Sequence, residues 1–243
     1  MIKYLFIMNG WEPLSLSALV TAAVSADVFL LGFLIAGSLP DYKEAERLPS
    51  EIAASIDAMT DECLILQTCK PTHTEPQDAL AQLLQLTKTI QNWFHTHVST
   101  GEVMIAIRAL NDSFAAFEPL TQANFIVRMK QEQQVLRRLI LRVRTIREVS
   151  FVATGYAIGE VFTVFVVLTL LLTNMEDSFR SFFFTGGFSY LLIYMIALVK
   201  DLDNPFHYHL GDQQGDEVDI TPLEAVERKI FVEQCPGYIN TRQ

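Results

Sequence analysis

The stretch LSLSALVTAAVSADVFLLGFLIAGSL, Leu14 to Leu39, decides how this chain is read: apart from Asp27 and small hydroxyls it is apolar throughout. At about 1.5 Å of rise per residue, a helix of that length crosses the ~30 Å hydrocarbon core of a bilayer with some tilt. Pro13 and Pro40 flank it. Two further stretches have the same character. Phe151 to Thr173 is the longer, and Phe182 to Val199 is near the lower limit for spanning. Only Asn174 to Ser181 separates them, so they form a tight hairpin. Met1 to Met8 is apolar but too short to cross, and is either a surface-lying segment or the remnant of a further helix. The expected fold is all-α, an integral membrane helical bundle with three clear spans and a partial fourth at the N-terminus.

Composition agrees. Half of the 243 residues are apolar, yet 19% are charged, which implies segregation into lipid-facing and water-facing stretches. The net charge of −10 excludes a nucleic-acid binder, which needs a clustered cationic surface. Cys63, Cys69 and Cys235 are odd in number, lie in polar regions and read as reduced thiols. Lys3 before an apolar run, with Val24-Ser25-Ala26 beyond it, has the outline of a secretion signal. Glu12 and Pro13 interrupt that run and strong hydrophobicity resumes at Val28, so no cleavage is expected.

Loop charge sets the orientation. Arg128, Lys130, Arg137, Arg138, Arg142, Arg144 and Arg147 crowd the approach to the second span, and Lys200 follows the third. The short connection holds Arg180 beside Glu176 and Asp177. The positive-inside rule then puts the insert 40–150 and the C-terminus on the cytoplasmic side or its organellar equivalent. The basic run reads as a solvated helix face near anionic headgroups. Four segments follow: 1–39, the N-terminal segment and first span; 40–150, a cytoplasmic helical domain; 151–199, a transmembrane hairpin; and 200–243, an acidic tail.

The insert reads as helices throughout, with no competing strand pattern. Asp41 to about Thr68 continues the first span. Thr74-Glu75-Pro76-Gln77 and Ser99-Thr100-Gly101-Glu102 have the form of capping boxes. Leu80, Leu83, Leu84, Ile90 and Phe94 recur at helical spacing, as do Met104, Ile107, Leu110, Phe114 and Phe117. A fourth helix from about Thr121 carries Met129, Leu136, Leu139, Ile140, Val143 and Ile146 on its inner side.

Candidate functional residues are few. Asp27 lies mid-span, where a carboxylate costs several kcal/mol unless it meets water, a partner or a proton, and Glu160 is a weaker case nearer the interface. Gly155 with Gly159, and Gly32 with Ala36, form small-xxx-small steps that let helices approach closely. His95 and His97 are two apart and point to different helix faces, so they do not share a metal. The acids of the tail suit calcium chemistry, although such runs are more often merely solvated. There is no Gly-rich phosphate loop, HExxH or nucleophile elbow, so no enzyme is expected.

Two stretches carry a family resemblance. Val28-Phe29-Leu30-Leu31-Gly32-Phe33 lies in the first span, with Tyr42-Lys43-Glu44-Ala45-Glu46-Arg47 beyond it; Asp201-Leu202-Asp203-Asn204-Pro205-Phe206 follows the last span. Both resemble the bestrophin family and its bacterial bestrophin-like relatives, as does the order of span, helical insert, hairpin and NPF segment. The resemblance implies a pentameric anion channel in which helix 14–39 lines the pore. It places Phe29 and Phe33 on the hydrophobic neck, with Ser25 at the third neck position where a bulky apolar residue is usual. It matches Asn204 to a calcium-clasp asparagine, with Asp212 as the first acid after an interrupting His207-Tyr208-His209-Leu210-Gly211. No cofactor is expected beyond that calcium candidate. The partners expected are the lipid bilayer and copies of the same chain, or a larger membrane complex. The alternative to a chloride-passing channel is a non-conducting subunit that docks or stabilises such a complex; a third reading is proton-coupled transport through Asp27 and Glu160.

Overall fold

A computed structural model describes residues 2–95, 97–148, 153–174, 177–203, 205–206 and 218–234. Helices α1 (Ile2–Met8), α2 (Ala18–Cys69), α3 (Glu75–Phe94), α4 (Thr100–Ala116), α5 (Ala123–Glu148), α6 (Ala153–Leu172), α7 (Ser178–Asp203) and α8 (Thr221–Gln234) account for nearly all of them. Three helices, α2, α6 and α7, are long and apolar enough to cross a membrane, and this is the all-α membrane fold the sequence implied. Only 22%, 22% and 17% of their most apolar windows is buried inside the chain. The remaining apolar surface has nothing but lipid or further protein to face. Two compact units result: residues 1–42 with 150–204, and residues 43–149 with 205–243.

In the first unit, α6 and α7 form the expected hairpin, with α6 slightly shorter and α7 longer than the hydropathy suggested, and a shorter connection between them. One expectation fails in a small way, because a strand pair does exist. Leu14–Ser15 (β1) pairs in parallel with Thr173–Asn174 (β2), two residues on each side. It forms where α2 has not yet begun and α6 has just ended, so backbone groups left free at two helix ends satisfy one another.

Pro40 does not end the first helix. α2 passes through both Pro40 and Pro49. Each missing N–H costs about 3 kcal/mol. Burying Leu31 and Leu34 before Pro40, Leu48 between the two prolines, and Ile52 and Ile56 beyond Pro49, at about 1.5–3 kcal/mol per side chain, outweighs that loss.

The second unit is a helical bundle around one core. Ile52, Ile56 and Met59 of α2 join Leu80, Leu83 and Ile90 of α3, Ile107 and Phe114 of α4, Leu136 and Ile140 of α5, and Leu223 and Ile230 of α8. The two capping boxes differ. Ser99 has extended backbone and its hydroxyl accepts the Glu102 N–H at 3.3 Å, as expected. Thr74 is already helical at φ −91°, ψ −20°, so its hydroxyl makes no cap bond; Glu75 instead meets His73 Nδ1 at 3.3 Å. Leu139 is only partly buried, and Gln133 takes a core position, its amide donating to the Ile107 carbonyl at 2.6 Å.

Candidate functional site

Helix α2 has two sharply different faces in the first unit. Asp27, Leu31, Leu34 and Ser38 are buried, and their i, i+4, i+7, i+11 spacing puts them on one side. Ser25, Phe29, Gly32, Phe33 and Ala36 lie on another side and are exposed, Phe29 to 76% and Phe33 to 58%. The buried face packs on α6, whose own inward stripe is Gly159, Thr163, Val166 and Leu170. Gly159 permits the close approach: a Cβ there would stand 3.2 Å from Leu34 Cδ1 and 3.7 Å from Leu31 Cδ2. A Cβ on Gly32 would meet nothing within 4 Å and Ala36 is exposed, so among the described residues the Gly32/Ala36 step makes no close helix contact.

Asp27 is 0% exposed. The Thr163 hydroxyl donates to its Oδ1 at 3.1 Å, and its Oδ2 is buried with no hydrogen-bond partner among the described residues. The carboxyl group therefore sits between α2 and α6, on the face away from Phe29 and Phe33. Glu160 lies one turn before Thr163, half-exposed, and pairs with Lys200 at 2.5 Å. The two acidic candidates thus have separate environments and do not meet.

The structure also brings together polar residues that hydropathy did not single out. Tyr156 donates to Asp203 Oδ1 at 2.6 Å and lies 2.9 Å from the Ser38 hydroxyl, so the first turn of α6, the last of α7 and α2 are joined at one level. At the opposite end, Lys3 is drawn into the fold. It is buried, donates to the carbonyls of Leu171 at 2.9 Å and Thr173 at 2.6 Å, and pairs with Glu12 at 2.6 Å. A cation on the orphan carbonyls of a helix C-terminus is favoured by both hydrogen bonding and the helix dipole. Helix α1, Ile2–Met8, therefore carries a cap for the end of α6. The sequence clue was Lys3 and Glu12, two opposite charges bracketing a short apolar run.

A groove of about 1000 Å³ opens between the first half of α2 and the start of α7. Leu16, Val24, Val28, Phe29, Phe184 and Phe188 supply its apolar wall, and Asn174, Asp177 and Arg180 its polar mouth. Ser25 lines it as well.

In the second unit the basic run stays at the surface, with Arg128, Lys130, Arg138 and Arg144 exposed, and several of its arginines are also paired within the protein. Arg128 pairs with Glu62, Arg142 with Glu44 (Nε to Oε1, 2.8 Å) and Arg144 with Glu148 at 2.8 Å. The Arg142 guanidinium holds the Glu44 carboxyl below the usual carboxylate range. Arg147 donates to the carbonyls of Trp93 and Phe94, at 3.1 and 3.0 Å, which end α3. Its guanidinium also lies over the rings of Trp93, Phe94 and Phe206. Phe206 of the NPF segment is thus a core residue held under an arginine. Asn204 and Asp212, the calcium candidates, lie outside the described residues. So does Cys235, while burial pushes the Cys63 thiol up to about 12 and Cys69 is exposed. His95 and His97 have ring centroids 6.4 Å apart, and no group of three metal-ligating side chains occurs among the described residues.

Neither a family model nor a curated protein matches the sequence. Solved structures do match the fold. Structures of a bacterial bestrophin homologue from Klebsiella pneumoniae align over nearly the whole chain. A tryptophan-to-alanine variant gives a TM-score of 0.79 at 12% identity, covering 97% of this chain and 93% of that one. A tyrosine-to-alanine variant gives 0.78 at 12%, covering 97% and 95%. The structure phased with zinc gives 0.72 at 13%, covering 97% and 91%. Identity this low carries the arrangement of helices and not the identity of a site; the fold of this chain is bestrophin-like.

Proposed function

We propose that the chain is the subunit of an oligomeric, bestrophin-like membrane channel that passes anions along the exposed face of α2. The carrying observation is the division of that helix: Ser25, Phe29 and Phe33 face outward, while Asp27 is turned inward against Thr163. Copies arranged around an axis would present rings of phenyl groups to it. Gly32 and Ala36, which make no close helix contact among the described residues of their own chain, would let neighbouring helices come close. A narrow phenyl-lined constriction admits a weakly hydrated ion and gates by dewetting. A ring of carboxylates would favour cations, and burial of Asp27 away from this face removes that objection. The likeness in fold to a bacterial bestrophin homologue supports the same reading, and five copies is the stoichiometry the resemblance implies. In this arrangement the second unit lies on the cytoplasmic side.

The test is chloride flux from liposomes holding purified protein of known particle mass. Flux is expected, and Phe33→Ala should change its rate or selectivity by widening the constriction. A confirmed oligomer that carries no anion would refute the channel and favour the non-conducting subunit.

A further inference from the structure

We infer that the groove between α2 and α7 binds a single phosphoglyceride, with a preference for a primary-ammonium headgroup of the phosphatidylethanolamine class. Three properties of the groove lead there. Its lining on α2 runs from Val20 to Phe29. At about 1.5 Å per residue this is a track of ~14 Å, close to the ~15 Å depth of one leaflet's hydrocarbon. Its polarity is graded along that track. Asn174, Asp177 and Arg180 stand at the mouth, where α6 has ended and α7 begins; hydroxyls of Ser15, Thr21 and Ser25 follow, with Val28, Phe29, Phe184 and Phe188 on the apolar wall. Lipid has the same order of charge, ester and hydrocarbon.

The third property is charge. Arg180 and Asp177 face one another at 3.5 Å, both exposed, so the mouth offers one cation and one anion side by side. A phosphate on the guanidinium and an ammonium on the carboxylate satisfy both, in charge-assisted hydrogen bonds. A choline headgroup has no N–H to donate to Asp177, and a glycerol headgroup carries no positive charge for it. The mouth is anchored from below. Ser15 pairs with Asn174 through the two-residue ladder, and Lys3 and Glu12 clamp the end of α6 beside it. Phe29 belongs both to this wall and to the proposed constriction, so an occupant would touch the ion path. The binding itself does not rest on the channel reading.

Native mass spectrometry of the full chain in detergent, titrated with phosphatidylethanolamine, phosphatidylcholine or phosphatidylglycerol, reads lipid adducts and oligomer mass together. Phosphatidylethanolamine adducts are expected to dominate at equal concentration. Arg180→Ala should weaken ethanolamine and choline lipids alike, roughly fivefold for an exposed ion pair. Asp177→Asn should abolish the preference between them and leave choline-lipid binding unchanged. Val24→Trp, which fills the groove, should lower all three. Equal adducts for the three headgroups, or a preference that survives Asp177→Asn, overturns the inference. So does a Val24→Trp protein that loses its oligomer mass while its lipid adducts persist, since a second copy would then occupy the groove.

Discussion

Replacing Lys3 with methionine keeps the length of the side chain and removes its charge. In the folded protein that charge touches the carbonyls of Leu171 and Thr173 and the carboxylate of Glu12, and the two charged side chains are only 5% and 9% exposed. Breaking a buried pair from one side leaves an uncompensated charge and costs about 3–5 kcal/mol. Here the stranded group is Glu12, and the last carbonyls of α6 lose their donor as well. Glu12→Gln is milder, about 1–2 kcal/mol, because Lys3 keeps its carbonyl acceptors. The double substitution removes the stranded carboxylate and should be more stable than Lys3→Met alone, a coupling of about 2 kcal/mol. At roughly 2–4 °C per kcal/mol for a chain of this size, Lys3→Met should fall by about 10 °C in a thermal scan in detergent, and adding Glu12→Gln should restore about 5 °C. Scan rate is held fixed, since membrane proteins often unfold irreversibly. Strictly additive losses, or a double variant less stable than Lys3→Met, would refute the cap.

Gly159→Val should cost about 1–3 kcal/mol by forcing α6 off Leu34, whereas Gly32→Val should leave the chain folded and lower the oligomer mass, since open space surrounds Gly32 in its own chain; thermal scans and native mass read the two. In a Cys235→Ser background, a thiol reagent at neutral pH should titrate Cys69 and spare Cys63, whose thiol is buried and pushed up to about 12, until denaturant is added. The Glu44–Arg142 pair lowers the Glu44 pKa from 4.5, so its stabilisation is fully present above pH 4.5 and fades as pH falls through the lower folded value. Arg142→Met should therefore flatten acid-range stability near and below pH 4, with a modest effect because both side chains are partly exposed.

The membrane spans were legible because crossing hydrocarbon demands a long apolar run, and few other folds use one. The inner stripes of α3 and α4 were legible through helical period. What could not be read was which side of each span turns inward. A span is apolar all round, so no moment separates the face bearing Leu31 and Leu34 from the face bearing Phe29 and Phe33. Asp27 reads in sequence as a mid-span carboxylate in need of water, a partner or a proton; in the fold it is buried against Thr163, a relation across 136 residues that no local pattern encodes. Thr74 misled for the opposite reason: it is a true local signal that tertiary packing overrode, whereas the continuation of the first span beyond Pro40 to about Thr68 is as expected. The basic run keeps the exposed face that composition implied, while the partners of Arg128, Arg142 and Arg147, carboxylates or ring faces far along the chain, could not be read from it.

The same division of α2 bears on the proposed channel. A helix packed on one side only must place its other side against something. Phe29, Phe33 and the small residues Gly32 and Ala36 cannot all be satisfied by one kind of surrounding. Phenyl rings gain in lipid or in a dry constriction, whereas small residues gain only where another helix comes close enough to replace the dispersion contacts they lack. Lipid alone would leave Gly32 and Ala36 without purpose, and a solitary packed partner would have no room for two phenyl rings one turn apart. In the proposed channel, close neighbours around an open axis would satisfy both demands at once, with the small residues at the contact and the rings toward the axis. Asp27, tied to Thr163 on the opposite side, would then hold each copy of α2 in the rotation that keeps Phe29 and Phe33 turned outward.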